Sequence, residues 1–327
     1  MQLSEIEKTL TPILSHFQSA YKELTDSSEV TILEEIAHHL LARQGKHLRP
    51  TLMLLSACCC GFPLTAKKDN PIFKIAAAIE ALHNSTLLHD DVVDRSEMRR
   101  GSATINKLYN NKVAVLAGDY FLAKVMMAVN EVDNKKVTEI INNTVIEMSE
   151  GELLQQQYNS QFDIDESVYF DIIRKKTAVF IALSCQAGAI FSTDDDRRIA
   201  AAKEFGEALG MAFQIRDDIL DYMPSSRSGK TQGNDLIEKR CTLPLILALR
   251  NSGANDRNDI LQILNNETID PTNMGKALAF VIENNGLLLA SRVLSKYIDS
   301  ALTSLEVFPD NKYRQMLQEL AISLKEI

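Results

Sequence analysis

Tryptophan is absent from this 327-residue chain, and aromatics together make up only 6% of it. A site that steadies an organic ring cation between aromatic faces has little to be built from. Helix breakers are scarce too. With 13 Gly and 8 Pro the elements should be long, and no Pro/Gly/Ser-rich tract divides the chain, so one domain spanning residues 1–327 is expected. The five cysteines, Cys58, Cys59, Cys60, Cys185 and Cys241, are odd in number and lack zinc-ligand spacing. They predict unpaired thiols in a reducing cytoplasm. Positive charge is in deficit: 35 Lys and Arg against 44 Asp and Glu give a net −9. That balance excludes a nucleic-acid phosphate surface as the main partner, but it allows a local basic pocket. The first seven residues have neither the basic nor the apolar region of a signal peptide. The longest weakly polar run, Thr177 to Phe191, is too short to span a bilayer and reads as a buried core helix. A soluble, cytoplasmic protein is expected.

Apolar residues, by contrast, are plentiful at 45% of the chain. They recur at three- and four-residue intervals almost throughout, without the alternation of strands. The periodicity predicts helices over 3–25, 29–43, 50–60, 71–94, 111–130, 134–158, 166–191, 196–222, 235–250, 257–265, 272–284, 286–306 and 310–325. Gly61-Phe62-Pro63, Pro71, Pro224 and Pro309 fit as stops and starts. The fold class is therefore all-α, a single-domain bundle of about ten to thirteen helices around a central cavity.

Within this pattern one acidic box occurs twice, as Asp90-Asp91-Val92-Val93-Asp94 and Asp217-Asp218-Ile219-Leu220-Asp221, starting 127 residues apart (217 minus 90). A helix turns about 100° per residue, so aspartates at i, i+1 and i+4 share one face. Carboxylates crowded there repel one another, a cost that a cation would offset. Hard oxygen ligands without His or Cys suit Mg²⁺, which commonly bridges to substrate phosphates. If the two box-bearing helices face each other, six carboxylates meet across one cavity and call for positive groups at its rim. Candidates follow each box: Arg99-Arg100-Gly101 after the first, and Ser228-Gly229-Lys230 after the second. Gly45-Lys46-His47-Leu48-Arg49-Pro50 heads a third helix, and Lys175-Lys176-Thr177 interrupts an otherwise apolar one. Glycine-freed amides and helix N-termini would add donors for phosphate oxygens.

These residues resemble the trans-isoprenyl (polyprenyl) diphosphate synthase family, and the long-chain type within it, the octaprenyl diphosphate synthases among them. The motifs stand in the family's order from Gly45 to Pro244: Gly45-Lys46-x-x-Arg49-Pro50, the first box with Met98-Arg99-Arg100-Gly101, then Gly118-Asp119-Tyr120. Glu150-Gly151-Glu152-Leu153-Leu154-Gln155, Lys176-Thr177-Ala178 and Phe213-Gln214 with the second box come next. Gly229-Lys230-x-x-Gly233-Asn234-Asp235 and Thr242-Leu243-Pro244 complete the set. The resemblance implies an isoprenoid-synthase-type bundle that condenses isopentenyl diphosphate onto an allylic diphosphate. It implies several Mg²⁺ ions, three with substrate bound, held by Asp90, Asp91, Asp94 and Asp217 and more peripherally by Asp218 and Asp221. Arg99, Lys176, Thr177, Gln214 and Lys230 would bind the allylic diphosphate, and Lys46, Arg49, His83 and Arg100 the isopentenyl diphosphate. Asp90, Asp91, Asp94, Lys176, Asp217, Asp218 and Lys230 would be the catalytic set, His89 being structural. A homodimer and at most peripheral membrane contact are expected. The chain departs from the family at Gln44 and His47, which would stiffen the first loop, and at Arg240, where a guanidinium fork replaces a lysine point charge.

Product length should follow from sterics. The growing chain must run along the first-box helix, past Ser85 and Thr86, one turn before the box, and then Leu82, Ile79 and Ala78. Met126, Met127 and Met148 are candidates for the floor. Small residues at 85 and 86 leave the route open past about four isoprene units, so a product of roughly six to ten units, of the kind used as a quinone tail, is expected. Three other readings compete with a long-chain synthase besides a short-chain (farnesyl or geranylgeranyl) one. A di-iron carboxylate bundle could use Glu35-x-x-His38 and Glu80-x-x-His83, but it leaves both boxes unexplained. A terpene cyclase needs no second basic set. A regulatory subunit of a heteromeric synthase would typically have lost a box, and both are complete here.

Overall fold

In the computed structural model the predicted helices form close to their expected bounds. Described are residues 3–26, 29–42, 45–99, 101–224, 232–266 and 268–326. Among them are sixteen α-helices, counting Glu166–Ile173 and Val179–Ile190, on either side of a π-turn, as two. Two four-residue helices were not expected, Ile105–Leu108 and Asn234–Ile237. The second arises because the predicted 235–250 helix breaks: Lys239 takes a left-handed φ of 60°, and Pro244 opens a new helix at Leu243–Asn251. The polar segment after the first box holds a two-residue hairpin, Met98–Arg99 (β1) paired antiparallel with Ser102–Ala103 (β2). Gly101 turns it at a φ of 74°.

The chain divides into two compact units, each described by itself. The first comprises Met1–Ile141, Ser184–Ile199 and Phe308–Leu317. Its axis is α4, Pro71–Val93, which starts well: Asn70 caps it by accepting the Ile72 N–H, and Pro71 takes the first helical position. Every residue from Ile75 to Leu82 is buried, so this helix is covered on all sides. α1 (Leu3–Thr25) presents Ile6, Leu10, Ile13, Phe17 and Tyr21, a stripe of three- and four-residue steps that is wholly buried. α6 (Asn111–Val132) packs through Ala114, Ala117 and Phe121 with Leu88 of α4 and with Ile36 and Ala37 of α2 (Thr31–Ala42). Its other face stays open, with Leu116, Met126 and Met127 each more than half exposed. By length and composition α6 is the one helix among the described residues apolar enough to cross a membrane.

The second unit comprises Asn142–Leu183, Ala200–Val307 and Gln318–Ile327. Phe162, Tyr222, Leu236, Leu245, Leu249, Ile260, Phe280 and Val281 lie at its core. α10 (Asp196–Asp221) approaches the 166–190 helix closely through two glycines one turn apart. A Cβ on Gly206 would lie 2.6 Å from Ala182 Cα, and one on Gly210 only 2.5 Å from Ala178 Cα. All five cysteines are free. Burial pushes Cys58, Cys59 and Cys185 up to about 12, so these thiols are inert packing.

Candidate active site

Both acidic boxes end long helices, where the helix dipole is negative and neither last turn carries a base. Carboxylates there cost about 0.3–1 kcal/mol each instead of stabilising, so the placement favours a cation. In the first box Asp91 is buried, Asp90 half-buried and Asp94, the residue capping α4, exposed. The β1–β2 hairpin delivers Arg99, whose Nε donates to Asp91 Oδ1 at 2.8 Å. Burial raises the Asp91 carboxyl above its ordinary range; Arg99 pulls it back and Asp94 pushes it up further. The backbone is pinned as well, since the Asp91 carbonyl accepts from Ser96 N and Asn106 Nδ2. Asp91 and Arg99 line a small cavity of about 60 Å³ with His39, Asn84, Leu87 and Thr104.

The Lys46–Arg49 turn is held by a contact that sequence reasoning missed. His47 adopts φ 44° and ψ 41° ahead of α3, Leu48–Cys59. Its Nδ1 lies 3.2 Å from Oε1 of Glu80, a carboxylate only 5% exposed in the middle of α4. The turn is thereby seated on the stretch of α4 one helical turn before His83, with Lys46 exposed and Arg49 half-buried. The contact also engages Glu80, and Glu35 accepts from the Tyr109 hydroxyl at 2.6 Å. Both acids of the di-iron reading thus have other partners.

The second box is not a copy of the first. The two Asp221 oxygens accept the N–H groups of Asn234 and Asp235 at 3.1 Å each, so this carboxylate caps the short helix α11, Asn234–Ile237. Asp218 is 3% exposed and accepts from the Tyr169 hydroxyl at 2.6 Å and Gln214 Nε2 at 2.8 Å. Its carboxyl is pushed far up, by burial first and then by Asp235. Asp217 alone of the three is half-buried. Asp217, the expected principal ligand of this box, is thus its most accessible carboxylate, while Asp218 and Asp221, expected to take a more peripheral part, are buried and hold hydrogen bonds of their own. Asp235 is raised to about 7 by burial and by the nearby Asp221.

Lys176 and Thr177 lie in the π-turn Arg174–Ala178, a widened turn of the kind often found at functional sites. The Thr177 hydroxyl donates to Gln214 Oε1 at 2.9 Å. A continuous chain of hydrogen bonds therefore runs Thr177–Gln214–Asp218–Tyr169, joining three of the predicted site residues. Lys176 Nζ donates to Gln155 Oε1 at 2.9 Å and pairs with Glu152 Oε2 at 2.5 Å. Arg240 Nη1 pairs with Glu238 Oε2 at 2.8 Å. Arg100 and Lys230, both predicted to bind substrate, lie outside the described residues.

Along the expected product route Leu82, Ile79 and Ala78 are buried. Ser85 is 2% exposed, and its hydroxyl donates to the Gly118 carbonyl of α6 at 2.8 Å. It sits in the α4–α6 contact, where the two backbones come close, so Thr86, half-buried beside it, is the more available wall. Met126 and Met127, 58% and 60% exposed, form no enclosed floor within this chain. His89 packs over Gly118, with Nε2 3.2 Å from the Val115 carbonyl.

The donor set fits Mg²⁺. Asp90, Asp91, Asp94 and Asp217 are hard oxygen donors at negative helix ends. No group of three or more His, Cys, Asp or Glu side chains among the described residues is assembled to hold a metal by itself.

Comparison with known proteins agrees with this geometry. Residues 30–281 match the family described as Polyprenyl synthetase. The chain is 34% identical to the all-trans-nonaprenyl-diphosphate synthase (geranyl-diphosphate specific) of Rhodobacter capsulatus, covering 95% of this chain and 94% of that one. Among solved structures it superposes on a decaprenyl diphosphate synthase from Rhodobacter capsulatus with a TM-score of 0.92, 31% identity and 99% of each chain covered. A polyprenyl synthase from Caulobacter crescentus complexed with calcium and isoprenyl diphosphate follows, at 0.89 and 30% identity over 99% and 98% of the two chains. The chain belongs to the polyprenyl synthetase family and is a trans-prenyltransferase.

Proposed function

We propose that the enzyme extends an allylic diphosphate repeatedly with isopentenyl diphosphate, in a Mg²⁺-dependent reaction. The product is a long-chain all-trans polyprenyl diphosphate, a quinone side-chain precursor. The observation that carries the proposal is the pair of complete acidic boxes at two negative helix ends, the first with Arg99 on Asp91 and the second with Thr177 and Gln214 beside it. The nonaprenyl and decaprenyl synthases among its relatives favour the long product.

In this reading Asp90, Asp91, Asp94 and Asp217 would hold Mg²⁺ on the allylic diphosphate, with Asp218 and Asp221 contributing more peripherally. An ion held there would supply positive charge against the negative charge that builds on the leaving oxygens. Arg99, Lys176 and Lys230 add fixed positive charge where that charge develops, and Gln214 and Thr177 orient the group. Lys46, Arg49, His83 and Arg100 hold isopentenyl diphosphate. The apolar residues Ala78, Ile79 and Leu82 of α4 keep water from the allylic cation. The isopentenyl double bond then attacks, and a proton leaves to the released diphosphate. Leu82, Ser85 and Thr86 limit the product's length.

We further propose one functional domain, a cytoplasmic homodimer joined through the open face of α6, and three ions with substrate bound. The chain purified alone, given farnesyl diphosphate, isopentenyl diphosphate and Mg²⁺, should yield a product series by mass spectrometry that runs beyond about four isoprene units. A series stopping at three or four favours the short-chain alternative. No product from the chain alone favours the regulatory-subunit reading.

A further inference from the structure

Lys176 is gripped by two residues that the reaction itself does not call for. Glu152 Oε2 and Gln155 Oε1 take its ammonium at 2.5 and 2.9 Å. Both acceptors come from α7, Lys135–Tyr158, three positions apart and so on one face. The lysine and Glu152 side chains are each about three-quarters buried, at 25% and 24% exposure, which shields the pair from solvent screening.

The backbone is shaped for this grip. A Cβ on Gly151 would lie 2.7 Å from Lys175 Cβ and 2.9 Å from Lys176 N. No other residue type at 151 lets α7 come so near the π-turn. The π-turn in turn carries Lys176 and Thr177 together. The neighbouring pair shows what an ordinary ion pair here looks like: Lys175 Nζ meets Glu150 Oε2 at 3.0 Å, with Glu150 55% exposed. A lysine stem has four rotatable bonds, and its ammonium stabilises developing charge only when it is already in place.

We propose that Glu152 and Gln155 are positioning residues that hold the Lys176 ammonium ready for the diphosphate leaving group. The inference rests on the reading of Lys176 as a diphosphate partner. Glu152 supplies the charge that holds and orients the ammonium, and Gln155 supplies a neutral second acceptor that fixes its direction.

The test is a double-mutant cycle in the full chain. It is read as kcat and KM for each substrate, and separately as the calorimetric affinity for inorganic diphosphate with Mg²⁺. Lys176→Ala should lower kcat by about 100-fold or more and Glu152→Ala or Gln155→Ala by roughly 10-fold, with KM for isopentenyl diphosphate unmoved. The double variant Glu152→Ala/Lys176→Ala should be no worse than Lys176→Ala alone, because the two act as one unit. Glu152→Gln should recover part of the loss, and Glu150→Ala should match the wild type. Diphosphate affinity should weaken in the same non-additive way, whether or not turnover is measurable. Additive losses in the double variant, or a Glu152→Ala enzyme with wild-type kcat and diphosphate affinity, overturn the positioning role and leave the diphosphate reading standing. A Lys176→Ala enzyme with both at the wild-type level overturns both.

Discussion

Gly210 offers the sharpest structural test, because its substitution by alanine sets two effects of opposite sign against each other. Removing a glycine from a helix interior gains about 1 kcal/mol in helix propensity. The new methyl, however, would stand 2.5 Å from Ala178 Cα and 3.0 Å from Ala178 Cβ, where ordinary contact begins near 3.4 Å. Neither atom belongs to a flexible side-chain tip, so α10 must move off the π-turn by several tenths of an ångström or more. Overpacking of this kind costs about 1–3 kcal/mol. The movement falls one turn before Gln214 and one residue after Thr177, so it also strains their hydrogen bond at 2.9 Å, a further 0.5–1.5 kcal/mol or so. The net expectation is a loss of about 1–3 kcal/mol in urea unfolding, with a fall in kcat because Lys176 and Thr177 ride on the displaced turn. Gly275 supplies the control: it also lies in a helix, α14 (Pro271–Glu283), but nothing lies within 4 Å of a Cβ there. Gly275→Ala should therefore be about 0.4–1 kcal/mol more stable than the wild type. If Gly210→Ala is stabilised as much as Gly275→Ala, the close approach of α10 to the π-turn is wrong.

Asp235 gives the pH dependence. Its carboxyl sits at about 7 in the folded protein against an ordinary 3.8. The protonated form is thus favoured by folding, and its contribution is complete below about pH 4 and lost as the pH rises through 7. Urea unfolding without divalent cation should show stability falling by about 2–3 kcal/mol from pH 5 to pH 8, and Asp235→Asn should flatten that slope; an unchanged slope contradicts the assignment. For product length, Thr86→Phe should shorten the product seen by mass spectrometry while leaving Tm nearly unchanged. Ser85→Phe should instead lower stability by about 1–3 kcal/mol, because the Ser85 side chain already touches the Gly118 carbonyl; shortening by Ser85→Phe alone, with full stability, would reverse the two roles.

Helix positions were legible because periodicity and breakers agree. α4 was expected over 71–94 from Pro71 and its apolar pattern, and it runs from Pro71 to Val93. The family was legible because carboxylates, lysines and glycines stand in motifs of fixed spacing. What was not legible depends on contacts distant in sequence. The two boxes look alike as strings, yet Asp218 is braced by Tyr169, 49 residues away, and Asp221 by two amides of a short helix. His47 meets Glu80 across 33 residues. The π-turn adds one residue to a helical turn, a change too small to disturb a periodic pattern. Its only signals were the polar Lys175-Lys176-Thr177 within an apolar helix and the glycines at 151, 206 and 210. The break before Thr242 was signalled by Pro244, which suits a first helical turn, but the apolar spacing runs on across it and masked the signal.

The proposal that both boxes serve one diphosphate is tested most directly by steady-state kinetics of Asp90→Asn, Asp217→Asn and the double variant at saturating Mg²⁺. Each single change should lower kcat by about 100-fold or more. The double variant should lie within about tenfold of the slower single one, as expected of groups acting on the same bond. Turnover of either single variant within about twofold of the wild type would show that its box takes no part in the reaction.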